Sequence, residues 1–120
     1  MSHDQPDCVF IDDEAFTRES WDVTCRAAGK TALIFASANQ LLEAVERLPK
    51  SIPIFLDVDL RDDISGEELA VRLHALGFSA LYYATDHDAA FLERPRWLSG
   101  IINKEVPGWL LDGKRDPRAS

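Results

Sequence analysis

Five short apolar runs punctuate the chain, and each stops at a polar or acidic residue. Cys8-Val9-Phe10-Ile11 breaks off at Asp12-Asp13-Glu14, as a buried strand does on reaching a sheet edge. Thr31 to Ala36 and Ile52 to Leu56 repeat the pattern, the latter ending at Asp57-Val58-Asp59. Phe78 to Ala84 ends at Thr85-Asp86, and Gly100-Ile101-Ile102-Asn103 leads into Lys104. Helical segments are predicted between the runs. Phe16, Trp21, Val23, Cys25 and Ala28 supply apolar positions before Gly29, a residue suited to a helix C-terminus. Ser37 is a candidate N-cap for Leu41, Leu42, Val45 and Leu48, with Pro49 closing that helix. Another helix is predicted from Glu67 to Leu76, between Gly66 and Gly77, and a short piece from about His87 to Glu93 that Pro95 ends. After Lys104 only Val106, Trp109, Leu110 and Leu111 remain apolar, so the last helix is expected to be very short or missing.

Strands that read as continuous apolar runs, alternating with helices, predict a doubly wound α/β domain whose five-stranded parallel sheet is covered on both faces. The length of 120 residues, 46% of them hydrophobic, suits one core and one domain. The core is expected from about Asp7 to Leu111, with Asp112 to Ser120 a frayed tail. Thirteen Lys and Arg against 21 Asp and Glu give a net charge of −8, which disfavours nucleic acid and anionic lipid as partners. No apolar run approaches the roughly 20 residues of a membrane span, and the start of the chain is polar and unlike a signal peptide. A cytoplasmic location is expected. Cys8 and Cys25 have no metal-type spacing and are expected to be core or helix-face thiols. His3, His74 and His87 form no convergent set, and Trp97 and Trp109 are expected to pack at the core or its edge or to join a partner surface.

In an open parallel sheet, ligands bind at the carboxyl ends of the strands. Those ends deliver Asp12 and Asp13, Asp57 and Asp59, Thr85, and Lys104. Several carboxylates on one rim repel one another unless a cation holds them, and a hard divalent ion such as Mg²⁺ resolves that conflict while leaving room for a phosphoryl oxygen. A lysine reaching the same rim can pair with a carboxylate at rest and with a phosphoryl oxygen afterwards.

This set of residues, in this order, resembles the receiver domain of two-component response regulators of the stand-alone chemotaxis kind, over nearly the whole chain from about Asp7 to Trp109. The resemblance implies a flavodoxin-like sheet with strand order 2-1-3-4-5. It implies that Asp12, Asp13 and Asp57, with the backbone carbonyl of Asp59, hold Mg²⁺, and that Asp57 accepts a phosphoryl group from a histidine kinase or phosphotransfer protein. Thr85 corresponds to the hydroxyl residue that bonds the phosphoryl group, and Lys104 to the lysine after strand five. Signalling would then run through contacts with a downstream protein, the oligomeric state being open.

The sequence departs from the family pattern at four places. The loop Leu60 to Gly66 is one residue longer and lacks a proline, so it is expected to be more acidic and more mobile. Asp86 replaces a small residue after Thr85, and is expected to restrict access to the pocket. Glu105 stands where a proline follows the lysine, leaving open whether a cis bond is present. Ile101 occupies the position of an aromatic switch residue, so a threonine-to-aromatic coupling is not expected. Two other readings remain. One is a phosphorylation-independent interaction module on the same fold. The other is a phosphatase of the haloacid dehalogenase type, suggested by Asp57-Val58-Asp59 but opposed by an acidic pair that lies upstream and by the 63 residues left downstream (120 − 57).

Overall fold

The computed structural model describes residues 5–86 and 92–117. Its elements run β1 (Cys8–Ile11), α1 (Ala15–Ala27), β2 (Ala32–Phe35), α2 (Ala38–Ala44) with a 3-10 turn (Val45–Arg47), β3 (Ile54–Asp57), α3 (Gly66–Ala75), β4 (Leu81–Ala84), β5 (Gly100–Ile102) and α4 (Gly108–Leu111). The five strands form one all-parallel sheet in the order β2-β1-β3-β4-β5. The expected doubly wound architecture is therefore present, with a last helix of only four residues. The helical piece expected from His87 to Glu93 falls largely outside the described residues.

Alternation along the central strands divides the core in two, because successive side chains leave a strand on opposite faces. Val9, Ile11, Ile54, Leu56, Leu81 and Tyr83 pack under α2 and α3 against Leu41, Leu69 and Leu73. Cys8, Phe10, Phe55, Tyr82 and Ala84 pack on the other face against Trp21 and Cys25 of α1 and Leu110 of α4. On that second face an aromatic row crosses the sheet. Phe10 stacks on Trp21 at 4.0 Å, and Phe55 stacks on Tyr82 at 4.8 Å. Trp109 closes the row at 6.1 Å from Phe55 and 5.9 Å from Tyr82. One indole thus covers area that a longer helix would otherwise shield, which is how a single turn suffices for α4.

Two expectations about burial need correction. On α1 only Trp21 and Cys25 are buried, one turn apart, whereas Phe16 and Val23 are exposed. The helix presents one narrow stripe to the sheet, and the other apolar residues fall outside it. The run around β2 is half-buried instead of buried, since β2 lies at one edge of the sheet. Within the expected tail, Asp116 is buried and accepts a hydrogen bond from the Tyr82 hydroxyl at 2.9 Å. That part of the segment is packed on the sheet.

The helix ends follow local chemistry. Ser37 and Ser65 accept hydrogen bonds from the amides of Gln40 and Glu68, capping α2 and α3. Past α1 and α4, Gly29 and Gly113 take positive φ angles of 73° and 71°. The following amides, of Lys30 and Lys114, bond back to the carbonyls of Cys25 and Trp109 at 2.8 Å. The loop from Leu60 to Gly66 is anchored along its length. The Arg61 amide donates to Asp13, Asp62 accepts from the Ala38 amide at the start of α2, and Leu60 is buried.

Candidate functional site

The carboxyl ends of β1 and β3, with the segment after β5, enclose a polar depression of about 710 Å³ lined by Asp12, Asp13, Asp57, Asp59, Arg61 and Lys104 among others. Asp12 directly follows β1 and is fully buried, its Oδ1 accepting the Glu14 amide at 2.8 Å and its carbonyl accepting from the Arg18 guanidinium. Asp13, the next residue, is exposed to the depression. Asp57 is the last residue of β3 and is 1% exposed. Its backbone lies against α3, where a Cβ at Gly66 would stand 2.0 Å from the Asp57 carbonyl oxygen. Only glycine permits that approach, and it sets the position from which the carboxylate projects.

Lys104 bridges the two buried acids. Its Nζ lies 3.0 Å from Asp12 Oδ2 and 3.2 Å from Asp57 Oδ1. Burial works against its charge, but the two carboxylates outweigh that and push its pKa up to about 12. Asp57 Oδ1 also accepts the Asp59 amide at 2.9 Å. Burial is the main cause that raises the Asp57 pKa above the ordinary value of 3.8; the Asp12 charge adds to it, while the Asp59 amide and Lys104 oppose it. Two oxygens in this cluster are buried with no hydrogen-bond partner among the described residues, Asp12 Oδ2 and Asp57 Oδ2. The first still makes the 3.0 Å ion-pair contact with the lysine. The second has no such contact.

Asp12, Asp13 and Asp57 each offer an oxygen within 4.8 Å of the others. Three carboxylates against one ammonium leave the cluster short of positive charge, a deficit that a divalent cation could offset. The donor set, all oxygen and held on a sheet rim, fits a hard divalent ion such as Mg²⁺.

Of the residues that the sequence singled out, Asp12, Asp13, Asp57, Asp59 and Lys104 line the same depression. Thr85 does not line it; it is buried one residue beyond Ala84, which pairs in register with Asp57, and its amide donates to the Ile102 carbonyl. Asp86 is exposed and lines, with Phe16, Asn103 and Glu105, a neighbouring depression that shares Glu14 and Lys104 with the acidic one. No cis peptide occurs among the described residues, and Ile101 is half-buried against the α2/α3 side of the core. Sequence reasoning missed Arg61, a cationic residue at the mouth of the depression, and Gly66 as the residue on which the Asp57 backbone rests. A cation four residues past an acidic strand end was the available signal for the first.

No family model and no curated protein matches the sequence. Solved structures do match the fold. The chain is similar to the N-terminal domain of a response regulator/sensory box/GGDEF three-domain protein from Carboxydothermus hydrogenoformans, at 19% identity and a TM-score of 0.70 over 88% of this chain and 87% of that one. It is also similar to a CheY-like response regulator receiver domain from Methylobacillus flagellatus, at 18% identity and a TM-score of 0.70 over 91% and 94% of the two chains. A receiver domain protein from Methanospirillum hungatei aligns at 21% identity and a TM-score of 0.68 over 86% and 84%. Strand order and these neighbours agree, and the chain has the fold of a response regulator receiver domain.

Proposed function

We propose that the chain is a phosphoaccepting receiver, in which Asp57 takes a phosphoryl group from a histidine kinase or phosphotransfer protein and the altered surface engages a downstream protein in the cytoplasm. The observation that carries this reading is the state of Asp57. Its carboxylate is buried at the floor of an open acidic depression, with one oxygen engaged by Lys104 and the Asp59 amide and the other, Oδ2, without a hydrogen-bond partner among the described residues.

That oxygen is the natural nucleophile. Its lone pair forms the new O–P bond in line with the breaking P–N bond of the phosphohistidine donor, whose imidazole leaves with the electron pair and takes up a proton. The product is an acyl phosphate on Asp57. Lys104, already 3.2 Å from Oδ1, compensates negative charge gathering on the phosphoryl oxygens, and Asp12 orients it by holding Nζ at 3.0 Å. Asp12, Asp13 and Asp57, with the Asp59 carbonyl, would hold Mg²⁺, which when bound supplies charge neutralisation at the phosphoryl group. Thr85, next to the Asp57 register partner, is the hydroxyl that would hydrogen-bond the phosphoryl group and move the following segment.

The test is the intact mass of the purified protein after incubation with acetyl phosphate or phosphoramidate, with and without Mg²⁺. The expected result is a Mg²⁺-dependent gain of one phosphoryl group that is lost in Asp57→Asn. No gain despite Mg²⁺ binding would refute phosphoacceptance and leave the phosphorylation-independent interaction module.

A further inference from the structure

The opposite end of the sheet holds a second depression, of about 650 Å³, to which the chemistry above assigns nothing. It lies where the strands begin, and its lining includes three cationic residues, Lys30, Lys114 and Arg115. In a chain of net charge −8 such a grouping is conspicuous. Among the described residues none of the three takes part in an ion pair; the pairs present are Arg26 with Asp22, Arg72 with Glu68, and Lys104 with Asp12 and Asp57.

Two carboxylates, Asp7 and Asp116, also line it and keep their charges, each turned to a donor of the chain. Asp7 Oδ2 accepts the Thr31 amide at 2.7 Å, and Asp116 Oδ2 accepts the Tyr82 hydroxyl at 2.9 Å. The grouping is also built. Lys30 and Lys114 each follow the glycine that ends a helix, their backbones tied by the 2.8 Å bonds to Cys25 and Trp109. These bonds also satisfy helix-end carbonyls that would otherwise repel an anion. The Lys30 ammonium reaches across to the C-terminal segment, where a Cβ on Gly113 would come within 2.9 Å of its Nζ. The wall bearing Lys114 and Arg115 is pinned by the buried bond between Asp116 and Tyr82.

We propose that this depression binds a small phosphate anion, at a site separate from Asp57 and independent of the receiver reading. Three cations converge there from two chain segments against two carboxylates, so the lining keeps a net positive charge that a compact phosphate anion complements. Half-buried Trp109 lines the same depression and gives a spectroscopic reporter beside it.

The test is calorimetric titration of the full-length protein with pyrophosphate in EDTA, so that no divalent ion links the anion to the acidic rim. Saturable one-site binding is expected for the wild type and equally for Asp57→Asn and Lys104→Gln, with affinity falling as salt is raised. It should weaken at least tenfold in Lys30→Gln/Lys114→Gln/Arg115→Gln, and in the single exposed substitution Lys114→Glu, which guards against misfolding of the triple variant. Absence of saturable heat, or undiminished binding in both variants, would overturn the proposal. Loss in Lys104→Gln with retention in the triple variant would do the same by placing the anion at the acidic rim. Because Asp57→Asn abolishes phosphoacceptance and leaves this binding intact, the two readings fail separately.

Discussion

Replacing Lys104 by methionine keeps most of the side chain's volume, one atom shorter, but removes the cation between Asp12 and Asp57, which are 0% and 1% exposed. The loss can be bracketed from the structure. The lysine is raised from 10.5 to about 12, and its side chain is only 17% exposed, so linkage gives about 2 kcal/mol from that shift alone. Leaving buried charges without their partner typically costs ~3–5 kcal/mol. At pH 7 the substitution should therefore destabilise the metal-free protein by roughly 2–4 kcal/mol, or about 6–15 °C in Tm for a domain of this size. The pH dependence has a definite sign. Asp57 has a folded-state pKa above its ordinary 3.8, so its protonation favours the folded state; that contribution is complete below the ordinary value and is lost as pH rises through the raised one. Without Lys104 the shift grows, and the gap between variant and wild type should narrow on going from pH 7 towards pH 4. The Lys104 contribution runs the same way at the other extreme, present below 10.5 and lost as pH approaches 12. Urea unfolding at several pH values measures both, and Mg²⁺ should restore more stability to the variant than to the wild type. A difference below about 0.5 kcal/mol at pH 7, or one independent of pH, would show that the lysine does not neutralise this pair.

Three further outcomes follow from individual contacts. Gly66→Ala places a methyl group 2.0 Å from the Asp57 carbonyl, and the forced shift of α3 from β3 should cost ~1–3 kcal/mol in urea unfolding and slow any phosphorylation of Asp57 more than it weakens Mg²⁺ binding. Tyr82→Phe removes the hydroxyl that donates to buried Asp116, a loss of ~1.5–3 kcal/mol, and should open the 112–117 segment to amide hydrogen exchange before the sheet. Phe16→Ser, at a position 78% exposed, should leave stability within about 0.5 kcal/mol by thermal unfolding, the result expected if this residue lies outside the core.

The order of elements and the rim chemistry were legible in the sequence for a physical reason. A strand covered on both faces must be apolar throughout, so Cys8 to Ile11 and Ile54 to Leu56 stand out as uninterrupted runs, and the charged residue that follows each run marks where the chain leaves the core. Parallel strands bring all those exits to one edge, so Asp12, Asp13, Asp57 and Lys104 could be placed on one rim before any coordinates. Capping is equally local, and Ser37 needed only its own neighbours to be read. What tertiary structure alone decided is whatever depends on which elements become neighbours. That β2 is half-buried follows from its edge place in a strand order that only the family resemblance had implied, and not from its own apolar composition. Which stripe of α1 is buried depends on its rotation over Phe10 and Phe55, which selected Trp21 and Cys25 over Phe16 and Val23. Asp86 sits next to Thr85 in sequence, yet one is exposed in a depression shared with Glu105 and the other is buried. Lys30 lies more than eighty residues from Lys114 and Arg115, and only the close of α4 against the far end of the sheet brings them together. Periodicity and spacing report a residue's local environment, whereas contacts between distant segments are set by how the layers pack.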